Sequence, residues 1–207
     1  MLNDTSLVDT HAREADILGK PQRISPLKPE EIGKDAAESL NKVMRTIQLE
    51  PVDEITGFSA VLLRHPALYE RHMALALQLF QCELTTRDRE LLILRTGWLC
   101  QAPNEWGEHV KIGKRLGGLT DEEITRVTVG SSALGWTDHD RALLRAVEEL
   151  HTDAMISDAT WTILAKSLNE QQLLELPILI GQYHGVAYIQ NSIRLRLLPG
   201  NAGLTER

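Results

Sequence analysis

Helix-start signals recur through the second half of this 207-residue chain and divide it into segments. Thr120-x-x-Glu123 and Asn169-x-x-Gln172 are capping boxes, in which the first and last side chains each accept a hydrogen bond from the other residue's backbone N–H. Thr85-x-x-Asp88 and Thr137-x-x-Asp140 have the same spacing with a shorter acid. No run of strictly alternating apolar and polar residues predicts a strand. The chain is therefore predicted to be all-α.

Prolines, glycines and acids mark the other helix boundaries. Pro29-Glu30-Glu31 predicts a helix start, because proline suits the first turn and acids there interact favourably with the helix dipole. This helix is expected to run to Met44 or Ile47, before a loop around Pro51. Gly117-Gly118 ends another helix, since glycine readily adopts a left-handed C-cap. The remaining helices are expected over residues 54–63 and 67–79, from Ser157, and from Asn169 to about Leu195 with a kink at Pro177.

Charge and composition argue against several classes of protein. The net charge of −7 and the lack of a basic run predict no nucleic-acid binding. No apolar run is long enough for a membrane span and the N-terminus has no signal-peptide core, so a cytoplasmic protein without membrane contact is expected. Cys82 and Cys100 form no disulfide framework. Residues 1–24 lack periodicity and are predicted to be an N-terminal arm, with residues 25–207 as a single all-helical domain.

The strongest candidate for chemistry is a carboxylate–imidazole pair. Glu105 and His109 are four residues apart, which makes them neighbours on one face of a helix. Such a pair can move protons near neutral pH. Trp106 lies beside them and is costly to expose, so packed surroundings are expected. The alternative is a solvated pair that adds only a few tenths of a kcal/mol to helix stability.

A second polar group lies on the last predicted helix. His184, Tyr188 and Asn191 fall at positions i, i+4 and i+7, and so form one stripe on an otherwise apolar helix. Gly181 and Gly185 would let a ligand or another backbone approach closely. The alternatives are a buried histidine that bonds to a carbonyl and a helix–helix contact permitted by the small residues.

The other polar residues give weaker signals. Glu90 and Arg95 lie on a largely apolar helix and need partners if they are buried, although Glu90 could equally form a solvated ion pair with a neighbouring arginine. Cys100 is expected to be a buried packing residue. His72 and His151 have charged neighbours and are expected on the surface. The histidines and cysteines show no metal-ligand spacing, so no metal site is predicted.

Five motifs together carry a family resemblance: Leu84-Thr85-x-Arg87-x-Arg89-Glu90-Leu91, Arg95-x-x-Trp98-x-Cys100, Glu105-Trp106-x-x-His109, Gly118-Leu119-Thr120-x-Glu122-Glu123-Ile124, and Gly181-Gln182-Tyr183-His184 with Asn191-Ser192. In these motifs, over roughly residues 40–198, the chain resembles the carboxymuconolactone decarboxylase family, within the superfamily that includes alkylhydroperoxidase D. The resemblance implies an all-helical, alkylhydroperoxidase D-like bundle. It also implies assembly as homotrimers or homohexamers, with active sites near the subunit contacts.

The resemblance further implies the site residues. The peroxidase branch has a glutamate, a C-x-x-C pair and a histidine, and Glu90 and His109 match the first and last of these. Ala102 and Glu105 stand where the two cysteines belong. Two cysteines at that spacing are needed to attack a peroxide and to resolve the sulfenic acid, so dithiol peroxidase chemistry is not expected. The decarboxylase branch lacks the pair and is understood to work without a metal or organic cofactor.

The predicted function is therefore that of a cofactor-free lyase, decarboxylase or isomerase for a small lactone or oxoacid, as found in aromatic-compound catabolism. His109, polarised by Glu105 or Glu90, would move a proton at a carbon or enol, and these three are the predicted catalytic residues. The predicted substrate-binding residues are Arg95, Trp106, His184 and Asn191. The alternatives are a non-catalytic oligomeric binding protein and, least favoured, a hydroperoxidase that uses Cys100.

Overall fold

The computed structural model describes residues 9–46, 55 and 57–207. Within these ranges every regular element is helical, which confirms the all-α prediction. The helices are α1 (Thr10–Leu18), α2 (Lys34–Thr46), α3 (Gly57–Leu62), α4 (Pro66–Phe80), α5 (Thr86–Leu99), α6 (Pro103–Gly117), α7 (Asp121–Val129), α8 (Asp138–Asp153), α9 (Asp158–Leu164) and α10 (Glu170–Ile193). Single turns of 3-10 helix span Pro29–Glu31 and Gly203–Thr205. None of the described helices is both long and apolar enough to cross a membrane.

The predicted helix starts of the second half are confirmed together with their caps. Thr120 and Asn169 open α7 and α10 with complete capping boxes, whose partners are Glu123 and Gln172. Gly118 ends α6 in the left-handed conformation, at a φ of 67°. Side chains also accept the capping hydrogen bond at the start of α5, α8 and α9, from Thr85, Thr137 and Ser157. Local hydrogen bonding therefore decides where these helices begin.

The N-terminal half departs from the sequence prediction in two places. Helix α1 is not predicted by periodicity. It begins after Asp9, whose side chain accepts a hydrogen bond from the backbone N–H of Ala12. The predicted helix at residue 29 is instead the short turn Pro29–Glu31, because Ile32 is extended and α2 begins only at Lys34. The predicted loop around Pro51 lies outside the described residues.

Helix α1 is tied to the C-terminal end of the chain. The backbone N–H of Leu204 donates to Oε1 of Glu14 at 2.7 Å. The guanidinium of Arg196 donates to the carbonyl oxygens of Leu18 and Lys20, the second at 2.7 Å. Residues 10–18 of the predicted N-terminal arm are therefore packed on the same folded unit as the C-terminus.

Helix α5 forms the centre of the main hydrophobic core. It packs against α6, α7, α8 and α10, and eleven of its fourteen residues are buried. Leu91, Leu92 and Leu94 are completely shielded from solvent. Because α5 is enclosed, its charged side chains must find partners inside the protein. Glu90 and Arg95 do so at two different places, and only Glu90 leads to the candidate site.

The packing of the C-terminal segment on α6 predicts a cost for any side chain at Gly107. A Cβ atom there would lie 1.9 Å from Oδ1 of Asn201. Asn201 is buried and held in place, since its Nδ2 donates to the Asn104 carbonyl at 3.1 Å and to Oε1 of Glu108 at 2.8 Å. We expect Gly107→Ala to lower the free energy of unfolding by about 1–3 kcal/mol, measured by urea denaturation.

The matched control is Gly181→Ala, because Gly181 also lies inside a helix. No described atom lies within 4 Å of a Cβ added there. Alanine should therefore stabilise α10 by up to about 1 kcal/mol through its higher helix propensity. A Gly107→Ala protein that is as stable as the wild type would contradict the close contact between α6 and Asn201.

Candidate active site

Helices α5 and α6 place a histidine between two glutamates. Glu90 lies in α5, and Glu105 and His109 lie one turn apart in α6. Nδ1 of His109 is 2.7 Å from Oε2 of Glu90, and Nε2 is 3.1 Å from Oε1 of Glu105. The structure thus brings the three predicted catalytic residues together, with one carboxylate on each ring nitrogen. We refer to these three residues as the Glu–His–Glu cluster.

Glycines let the two helices come this close. A Cβ atom at Gly97 in α5 would lie 3.6 Å from the backbone nitrogen of Trp106 in α6. A Cβ atom at Gly113 in α6 would lie 3.0 Å from a methyl carbon of Leu119 and 3.7 Å from Cβ of Glu90. The distance at Gly97 is an ordinary van der Waals contact, whereas a side chain at Gly113 would crowd Leu119 beside the cluster.

The outer oxygens of both glutamates are bonded as well. Nε of Arg89 donates to Oε1 of Glu90 at 3.2 Å. Nε2 of Gln190, in α10, donates to Oε2 of Glu105 at 2.7 Å. The sequence does not indicate Gln190 as part of the site, since an amide 85 residues from its partner carries no spacing signal. Two carboxylates, one arginine and a protonated His109 sum to zero charge, which limits the cost of burying them.

Burial and hydrogen bonding act in opposite directions on His109. The side chains of Glu90, Glu105 and His109 are only 1%, 7% and 12% exposed. Burial by itself would lower the pKa of His109, but the hydrogen bonds to Glu105 and Glu90 outweigh it and raise the pKa to about 10. His109 is therefore an imidazolium at neutral pH, and both of its nitrogens are donors.

This protonation state refines the predicted chemistry. The sequence indicates a ring polarised by one glutamate, whereas the structure shows a ring bonded by both. An imidazolium can deliver a proton but cannot accept one, so His109 is suited to act as a general acid.

Tyr183 borders the cluster, and His72 is near enough for the charge of Glu105 to affect its pKa. The ring of Tyr183 in α10 meets the His109 ring edge to face, with centroids 5.0 Å apart. His72 in α4 accepts a hydrogen bond on Nδ1 from Nε2 of Gln182 at 3.2 Å. Burial lowers the pKa of His72, while the charge of Glu105 raises it. His72 is thus half-buried, and its predicted surface position is wrong.

The helices that carry this cluster lie in the part of the chain that matches a known protein family. Residues 66–149 match the model of the carboxymuconolactone decarboxylase family. In this region, which is less than half of the chain, the protein is similar to the carboxymuconolactone decarboxylase family. The matched region runs from α4 to most of α8, and it therefore contains all three residues of the Glu–His–Glu cluster.

Two solved structures share the fold. One is a protein of unknown function from Agrobacterium tumefaciens, provisionally named an antioxidant defence protein AhpD, with a TM-score of 0.61 and 21% identity over 65% of this chain and 93% of that one. The other is an uncharacterized peroxidase-related protein from Silicibacter sp. TM1040, with a TM-score of 0.66 and 11% identity over 88% of this chain and 94% of that one. At these identities the likeness concerns the fold alone. No curated protein matches the sequence at a significant level.

Two predicted substrate-binding residues within the matched region, Arg95 and Trp106, bond to other parts of the protein. Nη1 of Arg95 donates to two carbonyl oxygens in the last turn of α7, at 2.9 and 3.0 Å, and Nη2 lies 2.9 Å from Oε1 of Glu148. Trp106 is completely buried, and its Nε1 donates to the Glu206 carbonyl at 3.0 Å. Neither side chain bonds to the Glu–His–Glu cluster. An enclosed arginine has to neutralise its charge nearby, which is what Glu148 does.

The other two predicted substrate-binding residues also lie apart from the cluster and instead gather around Cys100. Nδ1 of His184 donates to the Ile180 carbonyl at 2.9 Å, which matches the alternative of a buried histidine bonded to a carbonyl. Nε2 of His184 is 2.9 Å from Nδ1 of His151, which is exposed as predicted. Nδ2 of Asn191 donates to the Cys100 carbonyl at 3.0 Å.

The thiol of Cys100 is poorly suited to attack a peroxide. Burial raises the pKa of this thiol to about 11, so it is protonated at neutral pH, and the protonated form is not the nucleophile. Ala102 and Glu105 stand at the positions of a C-x-x-C pair, and neither supplies a thiol. Peroxidase chemistry that uses two neighbouring thiols therefore has no support in the side chains of this site.

The His109 ring is the part of the Glu–His–Glu cluster that has most contact with solvent. His109 is the most exposed of the three residues, at 12%. Two cavities of about 330 and 350 Å³ lie elsewhere, the first beside Met73 and Leu77 of α4 and the second beside Leu27 and Leu63. Neither of these two cavities is lined by the Glu–His–Glu cluster.

Proposed function

We propose that this protein is a cofactor-free lyase or isomerase for a small lactone or oxoacid, with His109 as the proton donor. The observation that carries the proposal is the buried His109 ring, whose two nitrogens lie 2.7 Å from Glu90 and 3.1 Å from Glu105. The match to a family named for a decarboxylase supports the choice of a lyase. Assembly as a homotrimer or homohexamer and a cytoplasmic location remain predictions.

For a decarboxylation, the step assigned to His109 is the delivery of a proton to carbon. The bond between the carbon and its carboxylate breaks, the electron pair passes to the adjacent carbonyl as an enolate, and carbon dioxide leaves. His109 then transfers its Nε2 proton to the carbon and becomes neutral. Water restores that proton, so each turnover consumes one proton. An enolate carbon is far more basic than an imidazole with a pKa of about 10, so the transfer is downhill.

The two glutamates have different roles in this proposal. The shorter bond, to Glu90, holds the ring and stabilises its positive charge from inside the core. The longer bond, to Glu105, is the one that a substrate would replace, because Gln190 can continue to hold Oε2 of Glu105. In an isomerisation, the released Oε1 of Glu105 would accept the proton from one carbon while His109 supplies a proton to another. The charges are in place before the substrate arrives, which lowers the reorganisation needed for the reaction.

The test begins with a thermal-shift screen of lactones and oxoacids, followed by turnover assays on the compounds that raise the melting temperature. We expect His109→Gln to lower kcat by about 100- to 10,000-fold, the usual contribution of general acid–base catalysis. The matched control is His139→Gln, because His139 is also paired with a carboxylate, that of Asp88 at 3.2 Å, but lies outside the cluster. Equal turnover by the His109→Gln and wild-type proteins would remove His109 from the mechanism. A failure of every lactone and oxoacid to bind would favour the non-catalytic alternative.

A further inference from the structure

Three potential metal-ligating side chains from three helices meet outside the Glu–His–Glu cluster. Cys100 caps the C-terminus of α5, His151 lies in the last turn of α8, and His184 lies within α10. The sulfur of Cys100 and one nitrogen of each histidine all lie within 4.8 Å of one another. We propose that Cys100, His151 and His184 bind one zinc ion.

His184 is oriented in the way that a zinc ligand requires. Its Nδ1 lies 2.9 Å from the Ile180 carbonyl oxygen, which can only accept, so Nδ1 carries the proton. The neutral ring therefore presents the lone pair of Nε2 towards the other two side chains. Metal-binding histidines usually donate their second nitrogen to a carbonyl or carboxylate in this manner, which fixes both the tautomer and the ring orientation.

His151 supplies the second nitrogen and the route of entry. Its Nδ1 lies 2.9 Å from Nε2 of His184, as one hydrogen bond between the two rings requires. Two nitrogens on a tetrahedral zinc ion are about 3.4 Å apart, given Zn–N bonds of about 2.0–2.1 Å. The rings therefore need to separate by only about half an ångström. His151 is solvent-exposed at the end of its helix, so it can make this shift and admit the ion from water.

Cys100 completes a donor set that favours zinc. Its backbone is held on both sides, because its N–H donates to the Thr96 carbonyl at 2.9 Å and its own carbonyl accepts from Nδ2 of Asn191 at 3.0 Å. Zinc is commonly bound by cysteine thiolates and histidine imidazoles, whereas magnesium and calcium are bound by oxygen ligands. One thiolate and two imidazoles therefore favour zinc. Three protein ligands leave a fourth position for water. The ion would link α5, α8 and α10 and would release the thiol proton when it binds.

The test uses the full-length protein after removal of metal with a chelator. We expect cobalt(II), as a spectroscopic substitute for zinc, to form a one-to-one complex with a thiolate-to-cobalt charge-transfer band, and we expect zinc to displace it. Cys100→Ser should abolish the band, and Cys100→Ser, His151→Gln and His184→Gln should each weaken zinc binding by more than about 100-fold in calorimetry. Cys82→Ser is the matched control and should bind as the wild type does.

Two results would overturn the proposal: no one-to-one binding by the wild-type protein, or a charge-transfer band that survives in Cys100→Ser. His151→Gln keeps the test decisive if a buried variant fails to fold, because His151 is on the surface. The proposed function is tested separately. His109→Gln should bind zinc with wild-type affinity, because His109 bonds to Glu90 and Glu105 and to none of the three ligands.

Discussion

Replacement of Glu90 by glutamine is expected to lower the free energy of unfolding by about 3–5 kcal/mol, the usual cost of removing one partner from a buried ion pair. Glu90 is 1% exposed, and its two oxygens accept from His109 and Arg89. Glutamine keeps the shape of the side chain but removes its charge. Two buried cations are then left with Glu105 as the one remaining carboxylate of the cluster.

The measurement is urea denaturation at neutral pH, with Asp121→Asn as the matched control. Asp121 pairs with Lys114 at 2.7 Å, the same distance as that between Glu90 and His109, but its side chain is 78% exposed. Solvent screens this surface pair, so the control should lose less than about 1 kcal/mol. Similar losses in the two variants would show that burial does not strengthen the Glu–His–Glu cluster.

The second large effect is a pH dependence of stability that originates in His109. Its pKa is 6.5 in a model compound and about 10 in the folded protein. A folded-state pKa above the unfolded value means that the folded protein binds the proton more tightly. The stabilisation is therefore fully present below pH 6.5 and is lost as the pH rises towards about 10. The total loss should be on the order of a few kcal/mol.

The difference in unfolding free energy between the wild type and His109→Gln measures this contribution, because titrating groups distant from His109 contribute equally in both proteins. We expect the wild-type advantage to be largest at pH 6.5 and to shrink steadily up to pH 10. A difference that is constant over this range would mean that His109 has an ordinary pKa and is not held as an imidazolium.

Most helix boundaries of the second half follow from local sequence. The caps at Thr85, Thr120 and Asn169 and the glycine at the end of α6 are decided by hydrogen bonds between residues a few positions apart. Helix α1 escaped prediction because its stability depends on the distant residue Leu204 as well as on its own cap. Local signals therefore describe the chain well where the caps are strong and less well where a helix depends on long-range contacts.

Some residues of the candidate site are likewise recognisable from the sequence, whereas others are brought there only by long-range packing. Glu105 and His109 are recognisable from their spacing, and Glu90 from the family resemblance. Gln190 and Tyr183 are not recognisable, because they reach the cluster only through the packing of α10 on α5 and α6. The four predicted substrate-binding residues are of suitable chemical type, but their side chains bond to other parts of the protein.

The sequence by itself determined the helical class, the caps and the Glu–His pair, because each depends on interactions within one or two helical turns. Only the tertiary structure decided that each ring nitrogen of His109 bonds to a glutamate and that Arg95 bonds to α7 and Glu148. It also decided that Cys100 lies close to His151 and His184. These arrangements join helices that are far apart in the chain. Protonation state and metal affinity depend on burial and on the partners that burial brings together, and neither is encoded in the spacing of residues along one helix.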